Sequence, residues 1–152
     1  MARPLATARH AASLTALAIA LVLAPGAEAG DVRLGHAIGG VCPDCDFSGR
    51  DLSGASVIGV LPRSNFSNAI LADARIGGNF ASATFARADL TGAAVQSANF
   101  VNADFSGAKL DGARVGGSNF FAVDLTGATL RDVRASWTNF SGSNFLGAKL
   151  DG

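Results

Sequence analysis

The chain has 152 residues, 49% of them hydrophobic and 19 of them glycine, and its formal net charge at neutral pH is zero. The balance of 12 basic and 12 acidic side chains excludes the strong positive charge that is typical of nucleic-acid-binding proteins. So much glycine and alanine makes an ordinary globular core unfavourable, and a repeat architecture is the better way for one domain to bury enough surface.

The first 29 residues have the pattern of a secretory signal peptide. Arg3 and Arg9 precede an apolar run over residues 11–23, and Ala27-Glu28-Ala29 matches an A-x-A cleavage site. This run is shorter than the roughly 20 residues that a membrane-spanning helix needs, although an uncleaved anchor is the alternative. We predict cleavage after Ala29, export to the bacterial periplasm or medium, and no membrane span in the mature chain.

Residues 30–44 are predicted to cap the repeat, and they end inside the motif Cys42-Pro43-Asp44-Cys45. In an oxidising compartment, two cysteines this close in sequence favour a local disulfide. A thiol redox protein using Cys42 and Cys45 is an alternative, but such a site needs a helix N-terminus that lowers a thiol pKa, and no helix is predicted here. A zinc site is disfavoured because only His36, Asp44 and Asp46 could join the two thiolates.

Residues 45–152 repeat with a period of five. From Phe80 to Leu150 every fifth residue is bulky and apolar, with one lapse at Ala135, and this period fits neither a helix nor a single strand. With two breaks of phase, the series of central residues extends upstream to give 21 pentads. The upstream central residues are Phe47, Leu52, Val57, Phe66, Leu71 and Ile76.

Each pentad predicts a short extended side followed by a corner. The residue two before the central one is small at 20 of 21 positions, and in an extended segment both side chains point the same way. The last pentad position is mostly Gly, Asn or Asp, which tolerate the positive φ of a tight turn. Because Asn-Phe recurs every twenty residues from Asn79-Phe80 onward, four sides should close one coil, and about five coils should stack.

Three segments carry a resemblance to a known family: Ala88-Asp89-Leu90, Ala98-Asn99-Phe100 and Ala103-Asp104-Phe105 are similar to the A-(D/N)-(L/F)-x-x motif of pentapeptide repeat proteins. The resemblance covers about 105 residues. It implies an all-β fold, a right-handed quadrilateral β-helix of about five coils of four pentads, and the handedness comes from the resemblance alone. It implies no catalytic residue, cofactor or metal. Many exported members of this family open with a similar C-x-x-C motif.

Two breaks of phase interrupt the series. Across Ile58 to Asn65 the segment Leu61-Pro62-Arg63 predicts a loop extruded at one corner, because proline removes a ladder donor. The second break deletes one residue beside Gly77-Gly78, whose conformational freedom should absorb a tighter corner.

Outward positions suggest one candidate partner patch, formed by Phe121, Trp137, Arg114 and Arg134. Tryptophan is a frequent anchor of interfaces, although scattered surface apolar residues need no function. The arginines, together with Arg75, predict either an anion-binding strip or a solvated face that blocks aggregation. Asparagines stacked at the coil spacing should hydrogen-bond one another.

The last coil ends on three sides, with Phe140, Phe145 and Leu150 at its centre. Such a layer exposes apolar side chains and unpaired backbone. We predict a homodimer through this layer; the alternatives are that a partner covers it or that Lys149 and Asp151 keep it soluble.

The function predicted from these features is that of an exported, non-enzymatic structural or protein-interaction module with an unidentified protein partner and no nucleic-acid ligand. The family resemblance also raises a DNA-mimicking, gyrase-binding protein of the quinolone-resistance type as an alternative. A DNA mimic should be strongly acidic, whereas this chain is near neutral, and the predicted export would separate it from gyrase.

Overall fold

The computed structural model describes residues 37–152; the predicted signal peptide, its cleavage site and His36 lie outside the described residues. The described part contains strands and turns and no helix, and therefore no helix that could cross a membrane. Its strands form a single parallel sheet in chain order. The strands are β1 (Ala37–Val41), β2 (Ser56–Val60), β3 (Arg75–Asn79), β4 (Ala94–Asn99), β5 (Arg114–Gly116) and β6 (Arg134–Ser136).

The chain winds as a four-sided coil. The stacked strands form side 1, and columns of parallel bridges between successive coils mark sides 2, 3 and 4. Side 1 carries the central residues Ile38, Val57, Ile76, Val95, Val115 and Ala135; side 2 carries Cys42, Leu61, Phe80, Phe100, Phe120 and Phe140; side 3 carries Phe47, Phe66, Phe85, Phe105, Leu125 and Phe145; side 4 carries Leu52, Leu71, Leu90, Leu110, Leu130 and Leu150. The predicted quadrilateral β-helix of about five coils is confirmed.

The core is built from columns of like side chains. On side 3 the rings of Phe47, Phe66, Phe85 and Phe105 stack in series, with centroids 4.8, 4.8 and 4.7 Å apart. Rings of side 2 meet them edge-on, as Phe100 meets Phe105 at 5.2 Å. Each such aromatic pair contributes about 0.5–1.5 kcal/mol beyond the area it buries. The interior is therefore a packed aromatic and aliphatic column.

Within residues 37–152 every corner except the one at Gly59 has a residue with positive φ, two positions after the central residue. Asn68 has φ 58° and Asn102 has φ 58°, and their backbone N–H groups donate to Ala86 and Phe121 of the next coil at 2.9 and 3.1 Å. Gly, Asn and Asp adopt this conformation at the lowest cost, which explains their frequency at the last pentad position.

The predicted loop at residues 58–65 is wrong. Leu61 is 0% exposed and lies in the side 2 column directly before Phe80. The N–H groups of Leu61 and Arg63 donate to the next coil, to Asn79 and Ala81 at 2.7 and 2.9 Å. Pro62 stands between them. The backbone nitrogen at this position of the corner takes no part in the ladder, so a proline there removes no ladder hydrogen bond.

The shortened corner predicted beside Gly77-Gly78 is present. β3 and β4 pair Ile76 with Val95 but Gly78 with Ala98, so the register shifts by one residue within this pair of strands. Gly78 has φ 104°, and a Cβ atom there would collide with the carbonyl oxygen of Gly59. The same short corner occurs one coil earlier, after Val57, so the break across residues 58–65 is of the same kind.

Parallel stacking begins before Cys45. β1 pairs with β2 from Ala37↔Ser56 to Val41↔Val60, and Ile38 is buried beneath it. The segment 30–44, predicted as a cap, therefore contributes a strand to the same sheet.

Candidate functional site

The corner between sides 2 and 3 of the first described coil is tied to the next coil by several contacts. Cys42 and Cys45 form a disulfide with their Cα atoms 5.7 Å apart. The buried hydroxyl of Ser64 donates to the Cys42 carbonyl at 3.1 Å and accepts from the Cys45 N–H at 3.3 Å. Arg63 donates to both carboxylate oxygens of Asp44, at 2.7 and 2.9 Å, and this hydrogen bonding lowers the Asp44 pKa. These contacts hold the two successive coils together, which is a structural role.

Within residues 37–152 there is no group of three or more His, Cys, Asp or Glu side chains that could hold a metal ion. The cysteines are joined to each other, and no helix of the described part supplies a dipole that would lower a thiol pKa. The remaining candidates for a binding site lie on the outer surface of the coils.

The structure brings two of the predicted patch residues together on side 1. Arg114 and Arg134 are register partners on neighbouring strands β5 and β6, and Arg75 lies on the same column with Ala94 between. None of these three arginines forms an ion pair within residues 37–152. They line the outside of side 1 as an unpaired cationic column.

The two exposed aromatic residues of the predicted patch lie apart. Trp137 is 96% exposed at the corner between sides 1 and 2, in the same coil as Arg134, and it has φ 57°. Phe121 is 46% exposed, and its ring lies beside Gly142 at the corner between sides 2 and 3. The patch is thus reduced to Trp137 with the two arginines.

The stacked asparagines of side 2 serve the fold. The side-chain amides of Asn99, Asn119 and Asn139 each donate to the asparagine one coil earlier, at 3.2, 3.4 and 3.1 Å. The Oδ1 atoms of Asn79, Asn119 and Asn139 also accept backbone N–H groups two residues on, as Asn139 does from Ser141 at 3.0 Å. These amides are already used by the structure, so they add little to a ligand site.

Sequence reasoning missed an exposed apolar area where side 1 meets side 2. Val41, Ile58 and Val60 project outward from β1 and β2, and Ile58 packs over Gly77. The apolar run Val57-Ile58-Gly59-Val60 was the available signal, but assigning Ile58 and Val60 to a loop concealed it.

The last coil leaves its apolar layer uncovered by any described residue. Leu150 is 59% exposed, and Phe140 and Phe145 are only partly buried. Together with Leu130, Val133 and Ala135 they line an open apolar depression.

The family model for pentapeptide repeats matches residues 79–117 and 118–152, with eight copies of the repeat. A comparison with curated proteins gives no significant match.

Several solved structures are similar. A pentapeptide repeat protein, Rfr23, from the cyanobacterium Cyanothece 51142 is 21% identical, with 77% of this chain and 89% of that chain covered and a TM-score of 0.40. QnrB1, a plasmid-mediated fluoroquinolone resistance protein, is 25% identical over 75% of this chain and 65% of its own, with a TM-score of 0.34. A pentapeptide repeat protein from the Arabidopsis thaliana thylakoid lumen is 36% identical over 69% and 64%, with a TM-score of 0.20.

The repeat motif, the stacked four-sided coils and the matching family model agree with one another. Residues 79–152 of this chain belong to the pentapeptide repeat family.

Proposed function

We propose that this protein is an exported, non-enzymatic interaction module that binds a protein partner at the corner formed by Trp137, Arg114 and Arg134. The observation that carries the proposal is the indole of Trp137, which stands 96% exposed on a backbone with φ 57°. A left-handed conformation costs a bulky residue about 1–2 kcal/mol, and glycine holds the same position one coil earlier, at Gly117. The fold gains nothing from this indole, whereas an interface would.

The neighbouring charges support the same corner. Arg134 lies three residues before Trp137, and its register partner Arg114 adds a second unpaired guanidinium. Tryptophan and arginine are the residue types most often found as energetic anchors in interfaces. A partner that offers a carboxylate beside an apolar pocket would fit this surface.

Trp137→Gly is the decisive variant. It removes the indole and relieves the left-handed strain, so we expect the free energy of unfolding to stay constant or rise by up to about 1 kcal/mol. Binding of the partner should weaken about 30-fold, as for an anchor worth about 2 kcal/mol. The partner is captured by cross-linking from the exported fraction, and its affinity is then measured by calorimetry.

Phe121→Ser provides the matched control, because Ser141 occupies the same position one coil later. This variant should keep its partner, since the Phe121 ring lies at a different corner. Full binding by the Trp137→Gly protein would contradict the proposed patch. A chain recovered from the exported fraction that begins at Gly30 would support export independently.

The alternative functions have weaker support. A DNA mimic of the quinolone-resistance type needs a continuous acidic surface, whereas the arginine column on side 1 is cationic. A thiol oxidoreductase would use Cys42 and Cys45, but the backbone beside this disulfide is held by Ser64, and the corner offers no helix dipole. Reduction of insulin by the isolated protein would favour the redox alternative.

We further propose that two copies associate end to end through the layer of Phe140, Phe145 and Leu150. The exposed apolar side chains of this layer support the contact, which would be isologous. Phe145→Asp places a charge at its centre and should convert a dimer into monomers, as measured by light scattering. A monomeric unmodified protein at high salt, where apolar contacts persist, would rule this contact out.

A further inference from the structure

Opposite sides of the rod carry opposite charge. The outward positions of side 1 hold Arg75, Arg114 and Arg134 and, within residues 37–152, no carboxylate. The outward positions of side 3 hold three aspartates and no lysine or arginine in the same range. Those aspartates are Asp46, Asp104 and Asp124.

The separation is spatial, because sides 2 and 4 lie between sides 1 and 3 in the quadrilateral coil. Residues 37–152 carry nine basic and ten acidic side chains, so a nearly neutral total hides this separation of the two columns, although Arg50 and Arg87 stand at the corner between sides 3 and 4. The carboxylates nearest to side 1 are those of Asp73 and Asp132, at the corner with side 4. Asp132 lines the same depression as Arg114 and Arg134, but it forms no ion pair with either of them.

The two charged columns share one pitch. Arg114 and Arg134 are register partners on adjacent strands, and Asp104 and Asp124 are bridge partners on adjacent coils. Both pairs are therefore spaced by one coil, about 4.8 Å. A second copy of this chain offers carboxylates at the spacing of the guanidinium groups, because both columns are built on the same coil.

The aspartates are available for such a contact. Asp104 and Asp124 each use Oδ1 to accept a backbone N–H, from Ser106 at 2.8 Å and from Thr126 at 2.9 Å. Within residues 37–152 the Oδ2 atoms accept no hydrogen bond. The hydrogen bonds from Thr126 lower the pKa of Asp124, so this carboxylate is charged at neutral pH. Like charges directly opposite one another are destabilising, so the arginine pair would also gain from a counter-charge.

We propose that side 1 of one copy docks laterally against side 3 of a second copy, with Arg114 and Arg134 facing Asp104 and Asp124 of that copy. The contact is heterologous, since it joins two different surfaces on opposite sides of the rod. Repetition of the contact therefore builds an open lateral array rather than a closed dimer. It is distinct from the end-to-end contact, because it depends on charge.

Sedimentation velocity across salt concentrations tests this assembly. At about 0.01 M salt, where the Debye length is about 30 Å, the wild-type mass should rise steadily with concentration. At about 1 M salt, where the Debye length is about 3 Å, the lateral array should dissociate while an apolar end contact persists. A wild-type protein whose mass does not depend on salt would overturn the proposal.

Two variants make the test specific. Arg114→Glu with Arg134→Glu removes the cationic surface, whereas Asp104→Asn with Asp124→Asn removes the anionic one and keeps the Oδ1 acceptor. Asn65 and Asn144 already occupy this aspartate column, so the second variant should fold normally. Neither protein should form the array alone. Mixed together, they should associate, because the aspartates of the first variant can face the arginines of the second.

Lys109→Glu with Lys149→Glu is the control, since it changes the net charge by the same amount on side 4. This protein should still assemble at low salt. Failure of the two folded variants to pair on mixing would refute the lateral contact. The proposal is also overturned if the wild type does not self-associate laterally and side 1 instead binds a polyanion such as heparin, with the binding lost in the Arg114→Glu, Arg134→Glu protein.

Discussion

Phe100→Ala is expected to lower the free energy of unfolding by about 3–5 kcal/mol. The Phe100 ring is completely buried and lies between Phe80 and Phe120, with centroids 5.2 and 4.8 Å away. Each neighbouring ring is anchored to its own coil by the backbone ladder, so the surrounding structure cannot collapse into the cavity. The loss should therefore lie at the upper end of the range for such truncations.

Asn99→Ala is the matched comparison one residue earlier, where the side chain points outward. It removes the amide bonds to Asn79 and from Asn119, at 3.2 and 3.4 Å, which are partly exposed to solvent. The expected loss is about 1–2 kcal/mol. Urea melts of the mature protein followed by circular dichroism would measure both. Equal losses would contradict the assignment of inward and outward positions.

Gly78→Ala is expected to be nearly as damaging as Phe100→Ala, although it adds only one carbon atom. The new Cβ would collide with the carbonyl oxygen of Gly59, and both atoms belong to backbone that the ladder holds in place. In addition, φ at this position is 104°, which side chains rarely adopt. Overpacking and backbone strain together should cost about 3–5 kcal/mol.

Gly112→Ala separates the collision from the general cost of replacing a corner glycine. Gly112 has φ 69°, and a Cβ atom there would meet nothing within 4 Å. We expect a loss of about 1 kcal/mol, as for an alanine in the left-handed region. Thermal melts of the two variants give the comparison. Similar melting temperatures for both would show that the coils can move apart at the short corner.

The period of five was enough to predict the interior. A residue such as Phe85 points inward because small and large side chains two positions apart face the same way in an extended segment, which is a local property of the backbone. The twenty-residue recurrence of Asn-Phe then predicted four sides, and the stacked rings agree with it. Such features depend only on neighbours along the chain and on identical coils above and below.

The corner at Leu61-Pro62 shows where this reasoning fails. Whether a proline is tolerated depends on which N–H groups the next coil uses, and at this corner those belong to Leu61 and Arg63. The chain pairs these groups with residues 18 positions later, so the pairing is a property of the assembled coils. A closer comparison of Val57–Leu61 with Ile76–Phe80 would have revealed the shared short corner.

The surface was the least predictable part. Sequence alone determined that Trp137, Phe121 and the arginines lie outside, because their positions in the pentad point away from the core. The sequence also placed Arg75, Arg114 and Arg134 on one side, whereas only the tertiary structure decided that Phe121 lies at another corner and that three aspartates occupy the opposite side. The physical reason is that a five-residue period specifies inward or outward, whereas the side of the rod depends on the number of residues in every preceding coil, which is 19 in some coils and 20 in others.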